Sequence, residues 1–189
     1  NFPSVLVNAN TGIAAGMASS ICSFNLEEVC NTTIEILRNS KHDVTETLKG
    51  PDFAGGGYLI YNRNEIESIY KTGRGGFKVR AKYSYDKANN CIDITEIPPT
   101  TTSEAIIDRV IEKIKSNSIK EISDIRDETD KKGLKITIDL KKGTDPEKLM
   151  NKLYASTPLQ DTFSCNFNVL INGNHNIVTY RRTLHSSNT

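Results

Sequence analysis

Residues 8 to 17 read Asn-Ala-Asn-Thr-Gly-Ile-Ala-Ala-Gly-Met and set one large aliphatic side chain, Ile13, among small and turn-forming residues. Gly12 and Gly16 permit backbone angles and close approaches that a Cβ would block. Asn8, Asn10 and Thr11 add turn chemistry and donors that can reach a phosphate. Such a loop can hold Ile13 out as a wedge. An apolar side chain pushed between base steps from the minor groove unstacks and kinks a duplex, at a cost of about a few kcal/mol per step. The plainer reading, which the loop alone favours, tucks Ile13 into the core beside Val5 and Val7.

A second set of residues could bind phosphates. Lys71, Arg74, Lys78, Arg80 and Lys82 fall between Lys71 and Tyr85 with no acidic residue among them. Two-residue spacing on a strand would run Lys78, Arg80 and Lys82 along one face, and phosphate contacts supply most sequence-independent affinity for DNA. Taken alone, such a row is more simply a solvated strand face. Gly73-Arg74-Gly75-Gly76 lacks the Gly-Lys-Ser/Thr ending of a nucleotide-binding loop, so it is read as a flexible loop with Arg74 at its tip. Phe77, Tyr83 and Tyr85 could stack single-stranded bases, but their alternation with the cations turns them toward the core. Asp124, Asp127, Glu128 and Asp130 are interspersed with Arg126, Lys131 and Lys132 and read as an ion-paired turn rather than a metal site.

These side chains need elements to hold them. Ser4 to Val7 reads as a short buried strand. Asn25 caps a helix, with Glu28 as a capping-box variant, and Leu26, Val29, Cys30, Thr33, Ile34 and Leu37 form its apolar stripe. A short helix over 44–48 stops at Gly50-Pro51. A strand over 56–61, a helix over 64–70 and a stop at Gly73 follow. Phe77 to Tyr85 alternates as one strand, hairpinned through 87–90 to a partner over 91–97. The remainder predicts a helix over 103–117, an extended segment over 119–125, a strand at Leu134, Ile136, Ile138 and Leu140, a helix capped by Asp145-Pro146, and a last strand over 163–171 ending at the Asn172-Gly173 turn. The fold class expected is α+β, a two-layer lobe with a mainly antiparallel sheet.

Composition sets limits. The 189 residues carry a net charge of +1, too balanced for a chain devoted to nucleic acid. No run of about 18 apolar residues suits a bilayer crossing, and the start lacks the pattern of a secretion signal. Cys22, Cys30, Cys91 and Cys165 lack zinc-site spacing and read as buried thiols of a reducing cytoplasm. No metal is assigned to the three scattered histidines.

Several segments, in order, carry a resemblance. Pro3 to Leu26, with its run from Asn8 to Ala18 and Asn25-Leu26, Gly50-Pro51-Asp52-Phe53, Tyr70-Lys71-Thr72-Gly73-Arg74-Gly75, Glu96-Ile97-Pro98, Ile122 to Asp130, Leu153-Tyr154 with Thr157 to Gln160, and Ile171-Asn172-Gly173 resemble the A subunit of bacterial type IIA topoisomerases, gyrase and topoisomerase IV alike. The likeness implies an isoleucine, here Ile13, inserting into bent gate DNA, with Asn10, Thr11 and the cations Lys71, Arg74, Lys78, Arg80 and Lys82 contacting the duplex. It implies residues 1–40 as the end of the DNA-gate domain, a short strand-loop-helix remnant, 41–173 as the tower, and 174–189 as a truncated or disordered tail. Ile21-Cys22-Ser23-Phe24-Asn25 departs from the family's usual Ile-Pro-Pro-His-Asn.

The family's catalytic tyrosine follows an arginine, and no Arg-Tyr pair occurs here. The chain is therefore expected to be an inactive piece of a larger cytoplasmic, ATP-dependent enzyme. As a piece it is expected to bind no cofactor itself, magnesium and ATP belonging to the partner subunit. The implied partners are double-stranded DNA, the topoisomerase B subunit, and a second copy of the A subunit in an A2B2 assembly. A non-catalytic nucleic-acid-binding or protein-interaction α+β module is the alternative.

Overall fold

The computed structural model describes residues 4–14, 17–171 and 174–177. Among these the fold is mixed α+β, with six helices and antiparallel strand pairs. Two compact units interleave along the chain. The first comprises Asn1–Ala54, Tyr61–Phe77 and Phe163–Thr189; the second comprises Gly55–Ile60 and Lys78–Thr162.

In the first unit, Ser4–Val7 is a single helical turn, α1, rather than the strand its β-branched residues suggest. Tertiary context overrides that propensity: Leu6 is fully buried and its carbonyl accepts the Phe24 N–H at 2.8 Å. β1 (Asn10–Ala14) and β2 (Met17–Ile21) form a hairpin, so Ile13 sits in a strand and not in an irregular loop. Gly16 lies outside the described residues.

α2 (Leu26–Arg38) begins where Asn25 accepts the N–H groups of Glu27 and Glu28, satisfying donors the first turn leaves open. Glu28 does not close the expected capping box; its carboxylate accepts the Lys49 N–H instead. The buried face of α2 is Val29, Thr32 and Ile36. Leu26, Ile34 and Leu37, expected in the packed stripe, are 51%, 45% and 69% exposed. The stripe is wider than the surface beneath it.

α3 (Val44–Thr47) and α4 (Arg63–Thr72) complete the helices of this unit. Gly73 caps α4 in the left-handed region at φ 70°, which favours glycine. Phe24 packs edge-on to Phe167, with ring centres 6.5 Å apart, and tilted against Tyr70. The predicted last strand is two: β9 (Gln160–Asn166) and β10 (Asn168–Ile171) are separated by Phe167, whose side chain is buried and whose N–H donates to the Gly73 carbonyl at 2.8 Å. β10 pairs with β11 (Asn174–Ile177). The Asn172-Gly173 turn and residues 178–189 lie outside the described residues.

In the second unit, β3 (Tyr58–Leu59) pairs with the end of β4 (Arg74–Arg80). The single strand predicted from Phe77 to Tyr85 breaks at Ala81, and β5 (Lys82–Asp86) enters a different sheet. That sheet runs β5-β6-β8-β7, with β6 at Cys91–Glu96, β7 at Ile122–Asp127 and β8 at Ile136–Leu140. Its apolar face, including Ile92, Ile94, Ile136 and Ile138, packs with Ile106 and Val110 of α5 (Ser103–Lys115) and Leu149, Met150 and Leu153 of α6 (Pro146–Ser156). Asp145 and Pro146 open α6 as the sequence predicts, Asp145 accepting from Glu147 and Lys148. The expected two-layer arrangement of helices on one sheet face is present.

Candidate nucleic-acid interface

The hairpin reaches outward from a buried root. Ile21, at the end of β2, is buried; Ser19 and Ser20 are half-buried; Ala18, opposite Ile13, is exposed. On β1, Asn10, Thr11, Gly12 and Ile13 are all exposed, so both strand faces are open, and Ile13 itself is 93% exposed. The core placement beside Val5 and Val7 is thereby excluded. Asn166 anchors the root: it is the register partner of Ser20, and its amide donates to the Ala18 carbonyl at 2.7 Å. Asn10, Thr11 and Ile13 are thus brought together on one strand.

Also in the first unit, Lys71 and Arg74 flank the α4 cap. Lys71 lies 3.6 Å from Glu67, its partner one turn earlier. Arg74 begins β4 directly after Gly73, so the flexible loop expected there is absent. Its backbone N–H donates to the Thr72 hydroxyl at 3.2 Å, and its side chain is exposed. Gly75, at φ 147°, turns tightly over Ile69: a Cβ there would fall 2.4 Å from Ile69 Cγ1.

In the second unit the three spaced cations have different surroundings. Lys78 is exposed and has no ion-pair partner among the described residues. Arg80 is half-buried: its Nε donates to Gln160 Oε1 at 2.6 Å, and its guanidinium carbon lies 4.9 Å from the Tyr154 ring centre. Lys82, beyond the break at Ala81, lies 3.8 Å from Glu96 and 5.9 Å from the Tyr58 ring centre. Cation–π contacts of this kind are favourable by about 0.5–1 kcal/mol when exposed.

Glu96 in turn accepts the Gly57 N–H at 2.7 Å, against glycines that leave no room for a Cβ. Burial pushes the Tyr154 hydroxyl up to about 12, Tyr83 and Tyr58 adding and Arg80 opposing. The sequence reading did not pair Tyr58, Tyr154 and Gln160 with the cations, because partners in separate elements leave no spacing signal. Phe77 is buried and Tyr83 half-buried, whereas Tyr85 is exposed with its hydroxyl on Asn90.

The acidic group resolves into local bonding. Arg126 bridges Glu128 at 3.5 Å and Asp139 at 3.1 Å, and Asp127 and Asp130 accept turn N–H groups from Thr129 and Lys132. Among the described residues no cluster of His, Cys, Asp or Glu could hold a metal, and no helix is long and apolar enough to cross a membrane.

The family model for DNA gyrase/topoisomerase IV, the A subunit, matches residues 1–187. The chain is 41% identical over 180 residues to the DNA gyrase A subunit of Ureaplasma parvum, covering 91% of this chain and 21% of that protein. It is 39% identical over 179 residues to the DNA gyrase A subunit of Borreliella burgdorferi, covering 92% and 22%. It is 35% identical over 190 residues to the probable chloroplastic/mitochondrial DNA gyrase A subunit of Oryza sativa, covering 96% and 20%. The chain spans about a fifth of the length of these relatives. An ordered set of short motifs, a family match along nearly the whole chain and these identities agree: the chain belongs to the family of the DNA gyrase/topoisomerase IV A subunit.

Proposed function

We propose that this segment holds and bends the gate duplex within a type IIA topoisomerase that passes one DNA double strand through another at the expense of ATP. Residues 1–40 carry the wedge at the end of the DNA-gate domain, and 41–173 act as the tower. The whole enzyme cuts both strands through tyrosyl-phosphate links made by a tyrosine outside this segment. Magnesium and ATP are held by the B subunit; the assembly contains two copies each of A and B.

The observation that carries the reading is Ile13, 93% exposed near the end of a hairpin whose root is buried. Leaving an isoleucine in water forgoes about 1.5–3 kcal/mol of burial free energy. Insertion between base pairs recovers that amount against an unstacking cost of a few kcal/mol. The two nearly cancel, so the wedge sets the shape of the DNA, while the affinity that holds it there comes from phosphate contacts. Asn10 and Thr11 lie beside the wedge to supply such contacts, and Lys71, Arg74, Lys78, Arg80 and Lys82 extend them along the duplex arms.

The test is Ile13→Ala in the full-length protein, measuring end-to-end energy transfer on a short labelled duplex together with a binding titration. The expected result is reduced bending with affinity changed little. Lost affinity with intact bending would remove Ile13 from the wedge role.

A further inference from the structure

Two thiols in the first unit face each other. Cys22 follows β2 directly and Cys165 lies in β9; their Sγ atoms are 3.8 Å apart, and the residues are 0% and 4% exposed. β2, which Cys22 directly follows, and β9, which carries Cys165, are already paired through Ser20 and Asn166, so the encounter is built into the fold. A disulfide needs the sulfurs at about 2 Å. Closing that gap takes a movement of roughly 1 Å at each sulfur.

We propose that Cys22 and Cys165 are a site of reversible oxidation, at which a small peroxide converts the thiol pair into an intrachain disulfide. Burial selects the oxidant: hydrogen peroxide is small enough to reach a site that glutathione disulfide or a partner enzyme is not. Cys165 attacks first, being the residue with any solvent exposure. Burial and the neighbouring Cys165 thiol push the Cys22 thiol up, which leaves it protonated at the start.

The Cys165 sulfur attacks one peroxide oxygen, the O–O bond breaks, and the departing hydroxide takes the Cys165 proton and leaves as water. Cys165 is then a sulfenic acid. Cys22 Sγ attacks that sulfur, the S–S bond forms, the S–O bond breaks, and the hydroxyl leaves with the Cys22 proton as a second water. Two thiols lose two electrons and one peroxide gains them. The bond fastens the chain just beyond the Ile13 hairpin to β9 by a covalent link, where now there are a strand pairing and the Asn166 amide bond.

The test treats the folded full-length protein, freed of reductant, with hydrogen peroxide, then alkylates under denaturing conditions and maps peptide masses. The expected product joins the Cys22 and Cys165 peptides at a mass lower by two hydrogens and is released by dithiothreitol, with Cys30 and Cys91 alkylated as before. Cys22→Ser or Cys165→Ser removes it. The proposal is overturned if both thiols stay alkylatable, if either stops at a sulfinic acid, if the link joins other cysteines, or if it forms only when denaturant precedes peroxide. Should a serine variant fail to fold, the wild-type peptide map decides by itself.

Discussion

The Tyr154 hydroxyl donates to the Ala81 carbonyl at 2.9 Å, so one side chain of α6 holds the point where the chain leaves one sheet for another. The same ring carries the Arg80 guanidinium. Tyr154→Phe keeps the ring and removes only the donor, and is expected to lower stability by about 1 kcal/mol. Urea unfolding should show a lower midpoint with an unchanged slope. An unchanged midpoint would mean that the carbonyl is satisfied by water.

The same hydroxyl gives an alkaline signature. Its folded pKa of about 12 stands above an unfolded value of about 10, so folding favours the protonated phenol. That stabilisation is whole below the unfolded value and is lost as pH rises from about 10 through 12. The wild-type melting temperature should therefore fall more steeply over that window than the melting temperature of Tyr154→Phe. Parallel curves for the two proteins would refute the assignment.

Ile13 and Ile21 stand at opposite ends of one hairpin and should differ sharply in stability. Ile13→Ala is expected to change the unfolding free energy by less than about 0.5 kcal/mol, as an exposed substitution does. Ile21→Ala, at the buried root, is expected to cost about 2–5 kcal/mol. Calorimetry of the two variants checks both, and a destabilised Ile13→Ala would mean that the hairpin end packs on the protein.

Lys78 and Arg80 should be unequal in DNA binding. Removing one phosphate-neutralising cation lowers the slope of log affinity against log salt by about 0.9. Lys78→Ala should show that full reduction. Arg80→Ala should also lower protein stability, since Arg80 serves Gln160 and Tyr154. Binding titrations across salt concentrations, read beside thermal melts, separate the two effects. A slope that stays the same in both variants removes the row from the interface.

Local rules made part of this structure legible. Asn25, Asp145 and Gly73 cap helices as their residue types predict, because a cap is decided within a few residues. Exposure of Ile13 was legible only through the resemblance, since the glycines and asparagines around it fit a buried turn as well as a projecting hairpin. The break at Ala81 also escaped: alternation from Phe77 to Tyr85 is uninterrupted in the sequence, and only Leu159, which accepts the Ala81 N–H, and Tyr154 reveal where the strand changes sheets. The exposed stripe on α2 illustrates the same limit, as periodicity finds an apolar face without saying how much of it is covered. For the residues proposed to contact DNA the resemblance supplied the assignment, and the geometry supplied the surroundings of each cation.

The chain crosses between its compact units at 54/55, 60/61, 77/78 and 162/163. Neither unit can therefore be liberated by trimming from one end, because each is assembled from more than one stretch of the chain. Protein engineers seeking the second unit alone would have to rejoin Ile60 to Lys78 by a new linker, whereas a graft of foreign sequence at the 87–90 turn would leave every crossing intact.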